Sequence, residues 1–392
     1  MSDKNKKLTM VLLAAAAFLA NGDNLAAATL ISDIAKDLGL TVSTAAISVT
    51  SYMMAFGIFT LLFGPLADRY GKVRVINIAI VGTSIFSMLG ALSYDLPSLV
   101  FFRAMNGLFG AGIIPVAIAL VGEIHDNENR QKAIGKVLGV AFLGGATATA
   151  IGGTIAYFGS WRMVYLIYGV AEFILAIVML KTLVKDKPVT NELKTFSSYK
   201  IALSNGRFLT KISLIFFMGF AILGCFTYTG ITTMERTGYN VFIVGLLLSL
   251  YGVGTVYGGR VAPQLKKRLK NGFLVATGFI GFTALSLLAY SSNIIILGIG
   301  LFGLGMTFIF FQSTILAAVQ EELAEMKGTV MSLASFNLFL GAALGTQING
   351  QLIEKYSASI IYSSASLIVM VVAIVAAIVI ANYETRKRQA HV

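Results

Sequence analysis

The sequence predicts an all-α membrane protein whose twelve transmembrane helices form two pseudo-symmetric six-helix bundles. Three observations predict it. Of 392 residues, 57% are apolar and only 12% are Asp, Glu, Lys or Arg, with a mean hydropathy of +0.82. A soluble domain runs at roughly 45–50% apolar and about 25% charged, so this chain has too little polar surface to face water. Apolar runs long enough to cross ~30 Å of hydrocarbon recur twelve times between polar breaks. Finally, the cations collect on alternate connections, as the positive-inside rule requires of an even number of spans.

In chain order the runs cover approximately 8–32, 44–66, 75–93, 98–122, 134–157 and 161–183, then 208–230, 241–259, 273–291, 294–318, 329–352 and 359–382. Lys4, Lys6 and Lys7 precede the first run in the manner of a secretion leader. Its apolar character continues past Asp23 to Ile31, however, and further spans follow, so it reads as a span. With the N-terminus inside, one side collects Lys4, Lys6, Lys7, Arg69, Lys72, Arg74, Arg130, Lys132 and Lys136, and then a dense middle run of Lys181, Lys185, Lys187, Lys194, Lys200, Arg207 and Lys211. Arg260, Lys266, Lys267, Arg268, Lys270, Lys327, Arg386, Lys387 and Arg388 complete that side, while the other keeps only Lys36, Arg162, Arg236 and Lys355. The asymmetry sets both termini in the cytoplasm of a multi-pass protein of the cell's inner (plasma) membrane.

The polar stretch 184–206 is the longest break and parts an N-terminal bundle, 1–183, from a C-terminal bundle, 207–392. The halves share sequence. Gly107-Leu108-Phe109-Gly110-Ala111-Gly112 returns as Gly300-Leu301-Phe302-Gly303-Leu304-Gly305, and Leu143-Gly144-Gly145-Ala146 as Leu340-Gly341-Ala342-Ala343. Small residues let membrane helices approach closely, and a duplicated six-helix unit is a recurring transporter plan.

Composition also excludes functions. A single cysteine, Cys225, forbids an intrachain disulfide and a Cys-based metal cluster, and two histidines leave little for zinc. The net charge of +12 is read as one-sided cation bias at a bilayer, not as a nucleic-acid footprint. No nucleophile–base pair or phosphate-cradling loop is present, so no enzyme activity and no cofactor are expected, and uphill transport would draw on an ion gradient.

Ionisable residues inside spans are costly and functional by default. Asp23 lies about 24 Å along a helix from Lys7, Arg103 about 9 Å inside the fourth span from Pro97, and Glu172 about 16 Å down the sixth span from Trp161. Spans seven to twelve carry no charge in their middles. Arg103, Asn106 and Gly107 share one helix face by their i, i+3, i+4 spacing. The position matching Arg103 in the repeat is read as Ile296, so the charge is not required by the fold. Arg103 is either a tuner of a nearby acid or a structural arginine snorkelling to the interface. Asp23 either exchanges a proton or shares packing contacts with Asn21 and Asn24. Glu172 is a weaker candidate for the same coupling. In the C-terminal half, Tyr228, Tyr251, Tyr257, Gln312, Asn337, Gln347 and Asn349 sit among Met306, Phe308, Phe310 and Phe311, which could hold amphiphiles or simply pack. Tyr52 and Met54 share that ambiguity.

Between the second and third spans runs Gly64-Pro65-Leu66-Ala67-Asp68-Arg69-Tyr70-Gly71-Lys72-Val73-Arg74. It resembles the signature loop of the major facilitator superfamily. Gly64, Leu66, Asp68, Arg69 and Gly71 match, and Lys72 and Arg74 supply the trailing cations. The second half puts Pro263 where Asp68 stands. The stretch around Arg103 and Asn106 resembles the fourth-helix motif of proton-coupled facilitators, and Asp23 the first-helix acid of the twelve-helix drug:proton antiporters, with Ser32 where that family usually has proline. The fifth span, Gly144-Gly145-Ala146-Thr147-Ala148-Thr149-Ala150-Ile151-Gly152-Gly153, keeps the flanking glycines of an exporter motif but has Ala148-Thr149 in place of Gly-Pro.

The resemblance implies a major facilitator fold with a midplane cavity, no cofactor, and a monomer whose partners are the lipid bilayer, protons and a small-molecule substrate. It implies export of amphiphilic molecules or drugs in exchange for protons. Asp23, Arg103, Asn106 and Glu172 would couple, and Gly64, Asp68, Arg69, Gly71, Lys72 and Arg74 would form a cytoplasmic gate that latches the halves. The missing Gly-Pro favours the alternative, a proton-coupled importer or facilitator for a sugar, amino acid or organic acid. A non-transporting membrane sensor is the remote alternative.

Overall fold

The computed structural model describes residues 3–125, 127–183, 195–323 and 326–389. Lys185, Lys187, Lys194 and His391 lie outside the described residues, as do the side chains of Lys4, Lys327, Arg386, Lys387 and Arg388. Among the described residues twelve helices are long and apolar enough to cross a membrane: Asn5–Asp37, Val42–Tyr70, Lys72–Gly90, Leu96–Ile124, Lys132–Phe158 and Trp161–Thr182, then Gly206–Thr237, Val241–Leu269, Phe273–Tyr290, Ile294–Glu322, Gly328–Lys355 and Ala358–Ile380. Each expected run is present, and most helices continue past it by a turn or two into polar residues that water or headgroups can solvate.

The helix starts are written locally. Thr41, Asp95, Ser160, Asn205, Asn240 and Asn293 each accept a backbone N–H of the first turn through the side chain, supplying a partner the helix itself lacks. At Asp95 the box is reciprocal, and the hydroxyl and backbone N–H of Ser98 hold the Asp95 carboxyl below the usual carboxylate range. Gly71, at φ +89°, makes the abrupt turn between the second and third spans, a conformation closed to most side chains.

Two spans are broken. The fourth stops at Gly110 and restarts at Ile113. Pro115 has no N–H to return to Ala111, and its ring crowds that carbonyl. The seventh contains a π-helical turn, Gly219–Leu223, and a second break at Thr227–Tyr228. A short helix, Thr195–Leu203, lies within the polar stretch between the halves.

Pairing is the same in both halves. The first span packs on the fifth, the second on the fourth and the third on the sixth; likewise the seventh packs on the eleventh, the eighth on the tenth and the ninth on the twelfth. The halves join along two main seams, second against eleventh and fifth against eighth, and the first span also meets the outer part of the seventh. This is the pseudo-symmetric pair of six-helix bundles.

Glycine contacts fix the register of the repeat. A Cβ on Gly107 would fall 3.0 Å from the carbonyl carbon of Tyr52, and one on Gly305 would fall 2.9 Å from that of Tyr251. Gly144 abuts the backbone of Phe18 as Gly341 abuts that of Phe216. The fifth-span match with the eleventh therefore holds, but in the fourth span Gly107 corresponds to Gly305, not to Gly300. Glycine-rich strings align equally well in two registers by sequence, and only the facing backbone separates them. Arg103 consequently corresponds to Leu301, not Ile296; both are uncharged, and Leu301 is buried.

Candidate functional site: a buried ion pair in the N-terminal half

Close helix contacts bring five spans around one polar cluster. Gly107 seats the fourth span on the backbone of the second, Gly169 seats the sixth on Ser84 and Met88 of the third, and Gly22 leaves room on the first for the Tyr168 ring. Into this space point Asp23, Arg103, Asn106 and Glu172, at 1%, 2%, 0% and 0% exposure. The four predicted coupling residues are thus one group, although they come from three spans.

Arg103 Nη1 lies 3.6 Å from Asp23 Oδ1 and donates to Asn106 Oδ1 at 3.3 Å. Asn106 Nδ2 donates to Asp23 Oδ2 at 2.9 Å and to the Thr83 carbonyl at 3.1 Å. Asn106 therefore reads both charges, its oxygen toward the cation and its amide toward the anion. The guanidinium also lies over two rings, 4.5 Å from the centroid of Tyr52 and 5.1 Å from that of Tyr165, which favours a desolvated cation. At 3.6 Å the Asp23–Arg103 contact is an ion pair without a hydrogen bond, and Asp23 Oδ1 has no hydrogen-bond partner. One carboxylate oxygen is fixed and the other is held by charge alone.

The arrangement bears on two readings left open by the sequence. Arg103 is buried, so it does not snorkel. Among the described residues neither expected partner hydrogen-bonds Asp23: Asn21 donates across to the Ala141 carbonyl of the fifth span at 2.9 Å, and Asn24 Oδ1 has no partner. Glu172 lies close enough to Asp23 and Arg103 to interact electrostatically, and neither of its oxygens makes a hydrogen bond. Sequence reasoning missed Tyr165 and Tyr168. Their signal was the Tyr165, Tyr168, Glu172 spacing, which places all three on one face of the sixth span. Just beyond Tyr165 sits Trp161, whose indole donates to Asp37 at 3.2 Å beneath the Arg162 guanidinium, 4.2 Å away; Arg162 also pairs with Asp37.

The basic end of the bundle, which carries the Gly64–Arg74 segment, helical on both sides of Gly71 and not the loop the sequence suggested, holds a second cluster. Lys72, its side chain 4% exposed, bridges Asp68 at 3.3 Å and Glu123 at 2.7 Å, tying the second, third and fourth spans together. Arg69 covers the Tyr70 ring. The ion pair of Asp68 is thus within its own half. Between the halves at this end, Gly64 faces Ser332, and Tyr199 of the short helix donates to the Leu61 carbonyl at 2.8 Å. Burial pushes the Tyr199 phenol up.

At the opposite end the halves touch backbone to backbone. Gly153 meets Gly245, Gly230 meets Ala28, and Gly350 meets Ser43. Ser43 also donates to Glu354 at 2.6 Å across the seam. The fifth-span glycines divide the work: Gly144, Gly145 and Gly152 face the first span, and Gly153 faces the eighth. In the C-terminal half, the Tyr251 ring lies tilted against those of Phe226 (4.5 Å) and Phe308 (6.1 Å), and its hydroxyl and Gln312 Oε1 have no hydrogen-bond partner. Phe310 and Met306 instead pack toward Phe273, Ala262 and Ile309, and Tyr228 is tied to the Thr346 carbonyl. Among the described residues, no group of three or more His, Cys, Asp or Glu could hold a metal ion.

A family model described as Major Facilitator Superfamily matches residues 12–346. The chain is 27% identical over 349 residues to the multi-drug resistance efflux pump PmrA of Streptococcus pneumoniae, covering 84% of this chain and 83% of the relative. It is 26% identical over 356 residues to the hexuronate transporter of Bacillus subtilis, covering 82% of each. Among solved structures it resembles a variant of the nucleoside transporter NupG, with a TM-score of 0.79 at 14% identity over 94% of this chain and 98% of that one. It also resembles a bacterial homologue of the human lysosomal transporter Spinster, inward-facing and occupied, with a TM-score of 0.72 at 16% identity over 99% and 98%.

Proposed function

Because the chain belongs to the major facilitator superfamily, we propose that it is a proton-coupled secondary transporter that exports small amphiphilic molecules by alternating access. The observation that supports this most is the Asp23–Arg103–Asn106 cluster. A buried ion pair is expensive to desolvate, and the repeat does without it, with Leu301 at the place of Arg103. Asp23 keeps one oxygen without a hydrogen bond, so a proton has a lone pair to take. Arg103 stays charged and sets how readily that proton leaves. Neither group reaches water in this conformation, so exchange at Asp23 must follow a movement of the halves. Glu172 and Asn106 belong to the same relay.

The Gly64–Arg74 segment acts as the gate of the basic end, with Asp68 changing partner when the halves move. The units are residues 1–183 and 207–392, joined by 184–206, working as a monomer in the inner (plasma) membrane with both termini cytoplasmic. Likeness to PmrA supports export of drug-like amphiphiles. A second reading, proton-coupled import of a sugar, amino acid or organic acid, is favoured by one observation. The fifth span runs unbroken from Lys132 to Phe158 through Ala148-Thr149, where exporters carry Gly-Pro, and a hexuronate transporter is among the relatives.

Liposomes with an imposed pH gradient and a panel of dyes, sugars and organic acids separate the two. Export predicts proton entry coupled to substrate leaving the basic end. Movement of both in the same direction rejects exchange, and absence of flux with every compound rejects transport.

A further inference from the structure

The seam between the fifth and eighth spans is uneven. Toward the end opposite the basic cations it is closed by bare backbone, Gly153 on Gly245 and, deeper, Gly252 on Ala146. Alongside that deeper contact and toward the basic end the two helices leave a groove of about 320 Å³, beyond which Phe142 of the fifth span packs on the cluster around Ala262 of the eighth. Leu143, Thr147 and Ala150 line it from one half, and Val253, Tyr257 and Arg260 from the other.

This groove faces outward. On the fifth span the side turned to the first span is taken by Gly144, Gly145 and Gly152; on the eighth, Gly254 and Gly258 face the tenth span and Tyr251 faces the core. The groove residues occupy the remaining side of each helix, and Leu143, Val253 and Tyr257 are exposed there. The hydroxyls of Thr147 and Ser249, which also lines it, are spent locally, on the Leu143 and Leu246 carbonyls. The walls are therefore apolar apart from the Tyr257 phenol. The one charge in the lining is Arg260, at the basic end, exposed and without an ion pair among the described residues. Lys266, Lys267 and Arg268 continue the same helix beyond it.

An apolar trough ending in an unpaired guanidinium matches a molecule with a hydrocarbon tail and an anionic head. We propose that the fifth–eighth seam is a binding site for an anionic phospholipid, tail in the groove and phosphate on Arg260. Guanidinium recognises phosphate through paired N–H donors, and the leaflet next to the basic end supplies the head at that depth. This inference is independent of substrate, proton coupling and direction.

Native mass spectrometry of the full chain, titrated with phosphatidylglycerol or phosphatidylcholine of identical tails, tests it. The unaltered chain should retain one phosphatidylglycerol in preference by about fivefold, the scale of about 1 kcal/mol per cation near an anionic surface. Arg260→Gln should abolish the preference, Arg260→Lys keep part of it, and Val253→Trp, at an exposed position, release both lipids. Arg268→Gln should change nothing. Equal binding of the two lipids by the unaltered chain overturns the proposal. So does a preference that survives Arg260→Gln, or one that Arg268→Gln removes equally, since that marks diffuse surface charge. Retention in Val253→Trp places the lipid elsewhere and overturns it too. Competition by a transported amphiphile at the same stoichiometry assigns the groove to substrate and likewise rejects the lipid.

Discussion

The seam at the end opposite the cations offers the most quantitative test of alternating access, through Gly245→Ala. A Cβ there would lie 2.5 Å from the Thr149 carbonyl oxygen and 3.0 Å from Gly153 Cα, so it meets backbone of the other half, which cannot turn aside as a side chain can. Overpacking of this kind costs about 1–3 kcal/mol. The cost exists only while the two spans touch; once the halves separate at that end, the methyl faces open space. The helix-forming gain of alanine over glycine, up to about 1 kcal/mol, is the same in both conformations and cancels. The ratio of open to closed at that end should therefore rise by about 5- to 150-fold, since about 1.4 kcal/mol is tenfold. Spin labels at Tyr94 and Tyr290, exposed at that end in opposite halves, would read it as a shift to longer distances, with Lys136 and Arg268 reporting the basic end. Cys225, the only cysteine, is buried, so background labelling is low. Gly139→Ala is the control, because a Cβ there meets nothing within 4 Å. An unchanged Tyr94–Tyr290 distance in Gly245→Ala, or an equal change in Gly139→Ala, refutes the reasoning.

Further expectations concern the charges. Asp23→Asn should abolish concentrative transport while leaving substrate-for-substrate exchange, measured by counterflow in liposomes; surviving concentration would make Asp23 structural. Arg103→Ala removes the cation paired with Asp23 and should displace the pH optimum of transport, and an unmoved profile counts against tuning. Lys211→Met breaks the buried Lys211–Glu322 pair between the seventh and tenth spans. It should cost about 3–5 kcal/mol of stability, with much of it recovered in Lys211→Met/Glu322→Gln, as seen in melting temperature; a double variant no better than the single would place the lysine's worth elsewhere. Glu354→Ala, losing the hydrogen bond from Ser43, should open the same end as Gly245→Ala but by less, because the pair is exposed.

The spans were legible because crossing hydrocarbon demands a long apolar run wherever the helix packs, and the loop motif because a tight glycine turn and its cations are local in sequence. The grouping of Arg103 with Asn106 was legible for the same reason, one helix face. Its meeting with Asp23 came only through the family resemblance, and its meeting with Tyr165 not at all, since periodicity within a helix says nothing of which neighbour it faces. The Thr195–Leu203 helix was hidden in a polar stretch that reads as linker, and the fourth-span break had its sign in Pro115, visible but unused. The slipped match of Gly107 shows the limit of repetition among glycines: identity of residues does not identify the facing backbone, and that backbone set the true correspondence.

Trp161 gives the site an optical consequence. It is the sole tryptophan of the chain, its ring 5.9 Å from that of Tyr165, which in turn lies against Arg103. Any rearrangement that lifts Tyr165 off the guanidinium also alters the surroundings of one indole, and intrinsic fluorescence of the unlabelled protein becomes a direct clock for events one aromatic ring away from the ion pair.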